Sequence, residues 1–278
     1  MTDPIIRTMP LGMPWPTVDP FLFCVHHVDD YPAGTPELAP RASLGGRNIG
    51  SDFSNTDGWS MYHGSVVPGF PQHPHRGFET ISFVRRGVMD HADSMGAAAR
   101  FGAGDVQWMT AGSGIVHSEM FPLLADDGPN PMELFQIWIN LPADDKLVTP
   151  HFRMLWAADI PKLVTPGTGG ADTEVTIVAG SLEGLTPPPP PPNSWAARPD
   201  SDVAIWQIRL GTGASWTLPP AARPDTVRSI YAFAGRSVRF GDATIEASTG
   251  AVVRADEEVT ISAADGAECL LLQGRPIG

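Results

Sequence analysis

The stretch GFPQHPHRGFETISFVRRGVMDH, residues 69–91, carries two histidines one residue apart, then a β-branched and aromatic run from Phe78 to Val84, then Gly87 and a second short run. Strand, glycine, strand is its order. ARFGAGDVQWMTAGSG, residues 99–114, follows with a glycine-led turn into another strand. The same sequence of events recurs far along the chain, in VRSIYAFAGRSVRF (227–240) and ATIEASTGAVVRADEE (243–258). Self-similarity at so long a spacing reads as a duplicated domain rather than a solenoid.

Further short runs of the same kind lie at Asp105 to Met109, Leu134 to Asn140, Val175 to Val178, Val203 to Leu210, Ser229 to Ala234 and Val259 to Ile261. Together with 29 Gly and 29 Pro in 278 residues, they predict an all-β chain of two tandem β-barrels, residues 1–142 and 143–278. A short helix near Pro161 to Leu163 is the one helical expectation. Between Leu185 and Asp202 six consecutive prolines, Pro187 to Pro192, read as a stiff surface connector, because proline cannot join a sheet interior.

Charged residues make up 18% and the formal net charge is −13, so the molecule repels phosphate backbones and direct nucleic-acid binding is excluded as its main occupation. No apolar run reaches the length of a membrane span, and MTDPIIRTMPLGMPWP lacks the order of a signal peptide; a cytoplasmic protein is expected. Cys24 and Cys269, in the apolar settings FLFCVHH and AECLLLQ, read as reduced, buried thiols.

His73 and His75 point the same way if the chain there is extended, and His117 and Glu119 in GSGIVHSEM repeat the spacing. Two such pairs on neighbouring strands converge three imidazoles and a carboxylate while leaving coordination positions open, a set open to iron, manganese, nickel, copper or zinc. Glu79, four residues beyond His75, is a ligand, a group orienting an imidazole, or a solvated strand residue. His26, His27, His63, His91 and His151 take structural or surface roles, with His63 at the rim of the motif; no histidine follows His151, so the second barrel cannot build a matching site.

These residues resemble a known family. GFPQHPHRGFETISFVRRGVMDH, GDVQWMTAGSGIVHSEM and LFQIWINLP look like the signature of pirins, a bicupin group of the cupin superfamily, with a denser likeness from Trp59 to Pro142 than beyond. The resemblance implies two cupin β-barrels and one metal, Fe(2+) above other divalent ions, in the N-terminal barrel on His73, His75, His117 and Glu119. It places the carboxylate at Glu119 rather than Glu79, the position other cupins use. The six-proline loop is no feature of the family.

Some pirins resemble quercetinases, which open a flavonol ring with dioxygen. By that resemblance Glu119 is also the catalytic base, and the apolar side chains near the ligands in sequence, Phe70, Phe78, Trp108, Met109 and Met120, supply walls, with about half of them lost to the core through strand alternation. The expected partners are a small aromatic substrate such as a flavonol and dioxygen, and the expected state is a monomer. The alternative is a non-catalytic, iron-dependent redox sensor that binds a protein partner.

Overall fold

A computed structural model describes residues 3–167 and 171–278; Met1 and Thr2, which open the stretch read for a leader, lie outside the described residues. Twenty strands and a few single 3-10 turns make up its regular structure, with no α-helix among the described residues. Contacts divide the chain into two compact units. One comprises Val25–Ile137 and Ala143–Ala157, the other Met1–Cys24, Trp138–Pro142 and Ala158–Gly278.

In the first unit, β3 (Gly69–His75), β8 (Ile115–Met120), β5 (Val88–Asp93) and β6 (Ala98–Gly102) form a four-stranded sheet in that order. A five-stranded sheet runs β10 (His151–Leu155), β7 (Val106–Thr110), β4 (Phe78–Arg86), β9 (Asn130–Asn140) and β2 (Phe21–Tyr31), of which Trp138–Asn140 and Phe21–Cys24 count with the other unit. Val84, Met89, Phe101, Phe121, Met132 and Leu134 pack together between them. Burying these apolar side chains at about 25 cal/mol per Å² is what closes the two sheets on each other.

The second unit repeats the plan. A sheet of β14 (Ala214–Leu218), β19 (Val259–Ala263), β16 (Ser237–Phe240) and β17 (Ala243–Glu246) accompanies one containing β15 (Val227–Gly235), β18 (Thr249–Val253), β20 (Ala267–Gly274), β13 (Ala204–Leu210), β12 (Thr173–Ala179) and β11 (Lys162–Thr165). The duplication is visible pair by pair: β4 with β7 and β5 with β6 and β8 correspond to β15 with β18 and β16 with β17 and β19. Both copies turn on a glycine that nothing else can replace. Gly87 has φ +79° and a Cβ there would meet the Pro131 carbonyl oxygen at 2.7 Å; Gly235 has φ +95° and would meet the Gly266 carbonyl oxygen at 2.4 Å.

β1 (Ile5–Pro10) pairs with β18, so the N-terminal strand completes a sheet of the second unit. The helix expected near Pro161 is a strand instead, β11, paired with β12 from Lys162 opposite Thr176 to Thr165 opposite Thr173. Leu163, Val164 and Thr165 are apolar or β-branched and fit a pleated edge, while three residues cannot repay helix nucleation. The proline run links β12 to β13, adjacent strands of one sheet. It lies in no strand, and shortly after it Trp195 is buried, with its Nε1 donating to the Arg275 carbonyl at 3.3 Å. Cys24 and Cys269 are unbridged and fully buried, and burial pushes the Cys269 thiol up to about 12, which keeps it protonated.

Candidate metal centre

β3 is the edge strand of its sheet, which is how Pro71 and Pro74 are tolerated among the histidines: an edge strand needs no proline N–H. β8 is central, with β3 on one side and β5 on the other. His73 stands directly opposite His117 and Phe70 opposite Glu119, with an irregularity in the ladder between them. On the other flank Asp93 faces His117 and His91 faces Glu119. Residues opposite one another share a face of the sheet, so all six side chains crowd one side of β8 together with His75.

The donor atoms of His73, His75 and His117 all lie within 4.8 Å of one another. Ring centroids are 4.4 Å apart for His73 and His117 and 4.8 Å for His75 with either. His73 Nδ1 is 2.8 Å from the Pro71 carbonyl oxygen, which can only accept, so the ring proton sits on Nδ1 and Nε2 keeps its lone pair. His117 is buried, and its Nε2 has no hydrogen-bond partner in the protein. Glu119 places Oε2 4.0 Å from that nitrogen, while its Oε1 accepts from the Ser82 hydroxyl at 2.5 Å.

Burial and the neighbouring His117 and His73 pull His75 down to about 4, and burial with His73 and His91 pulls His117 down to about 3. Both rings are therefore neutral at pH 7 and offer lone pairs. Three converging imidazoles, two of them held neutral by burial and one of those with a buried nitrogen that no protein group satisfies, fit a borderline divalent ion. The structure brings His73, His75 and His117 together because β3 and β8 are both extended where the pairs fall; Glu119 stands beside His117 but is not one of the three residues of the donor cluster.

Glu79 takes another place. It is fully buried and accepts from Trp108 Nε1 at 3.0 Å and Thr110 Oγ1 at 2.8 Å, and it is not one of the three residues of the donor cluster. Gly77, at φ +78°, breaks the chain between β3 and β4, so counting parity from His75 through to Glu79 does not work. Within β4 Glu79 shares a face with Ile81 and Phe83, opposite to the face from which Ser82 reaches Glu119. It is thus neither solvated nor turned toward the histidines.

The same alternation sorts the expected walls. Phe70 and His73 rings are 6.5 Å apart, Phe78 and His75 rings 5.1 Å, and Met109 pairs with Thr80 on the Ser82 face. Trp108, bonded to Glu79, and Met120, alternate to Glu119, point away. His63 holds the Gly50 carbonyl through Nδ1 at 2.8 Å and meets the Phe70 ring edge-on, at 5.9 Å between centroids. His26 and His27 lie in β2, and His151 opens β10 opposite Thr110.

Four residues to which the sequence reading assigned no part in the site are His91 and Asp93 on this sheet and Ser82 and Gln107 on the five-stranded one. Of the structural or surface role expected for His91 the structure shows the buried one, with Nδ1 3.4 Å from His117 Nδ1 and Nε2 3.0 Å from Asp93 Oδ2. Its spacing from Asp93 repeats the one-residue gap of the two pairs already noted, and that is the signal that could have found it. Ser82 reaches Glu119, and beside it across the β4–β7 ladder stands Gln107, fully buried with neither end of its amide bonded by the protein.

The sequence profile described as Pirin matches residues 41–139. A protein from Pseudomonas aeruginosa named "Putative quercetin 2,3-dioxygenase" is 34% identical over 211 residues, covering 75% of this chain and 68% of that protein. A pirin-like protein from Caulobacter vibrioides is 33% identical over 210 residues, covering 76% and 70%. Among solved structures, a quercetin 2,3-dioxygenase from Acinetobacter baumannii superposes with a TM-score of 0.71 at 25% identity, covering 94% of this chain and 76% of the other.

Proposed function

The chain belongs to the pirin family, and on that footing we propose that it is an iron-dependent dioxygenase of the quercetin 2,3-dioxygenase type, holding Fe(2+) on His73, His75, His117 and Glu119. The observation that carries the proposal is the buried His117 Nε2, unsatisfied by protein, set among two further imidazoles and 4.0 Å from a carboxylate oxygen. Bound there, iron supplies Lewis acidity and one-electron chemistry toward dioxygen. In the net reaction both atoms of dioxygen enter the flavonol, the ring opens, and one carbon leaves as carbon monoxide.

The chain's own groups do the rest. Glu119 Oε2 takes the proton of the flavonol hydroxyl, with Ser82 fixing the carboxylate through Oε1. Phe70, Phe78 and Met109 exclude water from the ring system, and Gln107, with an unmet donor and acceptor, receives its oxygens.

Iron-loaded protein mixed with quercetin under oxygen should bleach the flavonol absorbance and release carbon monoxide, and His75→Ala should abolish both. Stoichiometric iron without turnover would overturn the reading and leave the partner-binding, redox-sensing alternative in its place.

A further inference from the structure

Asp93, His91 and His117 form a buried row, the first two with side chains fully shielded from solvent. Asp93 Oδ1 accepts from the backbone N–H groups of Met95, at 2.8 Å, and Ala97, at 3.1 Å, in the turn after β5. That leaves Oδ2 for His91 Nε2 at 3.0 Å. A carboxylate oxygen can only accept, so in the neutral ring His91 carries its proton on Nε2 and presents a lone pair at Nδ1. The atom facing that lone pair is His117 Nδ1, at 3.4 Å, which must then be the protonated nitrogen of its ring. His117 Nε2 is left with a lone pair, aimed into the cluster of His73 and His75.

We propose that Asp93 and His91 are positioning residues that fix the tautomer of His117 and so create its ligating nitrogen. The inference rests on the metal-site reading above and concerns a part of it that no ligand list contains. Metal-bound imidazoles are commonly oriented by a group on their second nitrogen; here a second imidazole is interposed between carboxylate and ligand, so the proton pattern is relayed rather than imposed directly.

The relay can be reversed by one atom. In Asp93→Asn the backbone N–H groups of Met95 and Ala97 still require an acceptor, so the amide oxygen stays where Oδ1 is and the amide NH2 turns to His91. His91 Nε2 must then accept, its proton moves to Nδ1, and His117 is forced to accept there and to carry a proton on Nε2. The turn keeps its bonds while the ligand is lost. Adding His91→Phe to Asp93→Asn removes the reversed donor and frees His117 to choose its tautomer.

Cobalt(II), followed by its ligand-field absorption, reports the affinity, and nitrogen-15 spectra of histidine-labelled, metal-free protein report the tautomer. Wild type should bind one cobalt with His117 protonated on Nδ1. Asp93→Asn should bind 10- to 100-fold more weakly with the proton on Nε2, at an unchanged melting temperature, and the double variant should recover at least fivefold. An unswitched His117 in Asp93→Asn, cobalt affinity within twofold of wild type, or a double variant no better than Asp93→Asn overturns the relay. Failure of wild type to take cobalt overturns the metal-site reading instead, and the nitrogen-15 spectra still decide the tautomer.

Discussion

The Ser82 hydroxyl donates to Glu119 Oε1 at 2.5 Å and so ties a residue of the five-stranded sheet to one of the four-stranded sheet across the interior of the unit. The bond fixes the plane of the carboxylate, leaving Oε2 beside His117. A hydrogen bond to a charged group contributes about 1.5–3 kcal/mol, equivalent to roughly 10- to 100-fold in rate if expressed in the transition state. Ser82→Ala should therefore lower kcat for flavonol opening by that factor while metal content stays at one per chain. Steady-state kinetics beside elemental analysis makes the check; an unchanged kcat would remove Ser82 from the proposed chemistry.

Glu79 and Glu119 should separate cleanly by readout. Glu79 satisfies Trp108 and Thr110 on the far face of β4, so Glu79→Ala strands two buried donors and should cost about 3 kcal/mol of stability in urea unfolding, with metal stoichiometry intact. Glu119→Ala should do the reverse, weakening metal binding and turnover at a smaller cost in stability, because the Ser82 hydroxyl it frees still has the Gln136 Oε1 acceptor at 2.8 Å. Loss of metal from Glu79→Ala protein that is still folded would contradict the face assignment.

How far the sequence reached follows from where its local rules apply. The repeat was legible because Gly87 and Gly235 are forced by backbone geometry that only glycine meets, and such residues mark a fold without any knowledge of contacts. The His73/His75 and His117/Glu119 pairs were legible because spacing of two means one face in any extended segment. Glu79 was not, because Gly77 resets the alternation and nothing local shows the direction of the next strand. Ser82 joins the site only through a contact across the interior, and His91, although its spacing from Asp93 repeats that of the two pairs, is tied to them by pairing across β5–β8, contacts distant in sequence. The pairing of β1 with β18 is hidden for the same reason.

Acid should release the site and loosen the fold together. His75 and His117 titrate near 4 and 3 when folded, against an ordinary 6.5 that they regain when unfolded. Between these values the unfolded chain binds more protons, so stability is full above about 6.5 and falls as the pH drops toward 4. Asp29, raised to about 6 mainly by burial, works in the opposite direction: its penalty is relieved below pH 6 and offsets part of the loss. Melting of metal-free protein should show a midpoint that declines from pH 6.5 to 4, and His75→Gln should flatten the decline. A midpoint independent of pH over that range would contradict neutral, buried imidazoles.

Gln107 sets stability against function. It is fully buried, no protein group bonds its Oε1 or Nε2, and Thr80, whose Oγ1 is likewise unbonded, lies on the same face of the sheet beside it. A buried polar group that no protein group bonds depends on water or a bound molecule for its partners, and lacking both costs about 1–3 kcal/mol. Gln107→Met, which keeps the volume and removes the polarity, should raise the unfolding free energy of metal-free protein by about 1 kcal/mol and leave metal binding untouched. The same substitution should raise KM for a hydroxylated flavonol roughly tenfold, because the ligand's oxygens then meet a thioether, and should change KM little for an analogue lacking those hydroxyls. Equal effects on both substrates would show that Gln107 shapes the cavity without recognising oxygen, and a loss of stability would show that its amide is already satisfied in solution.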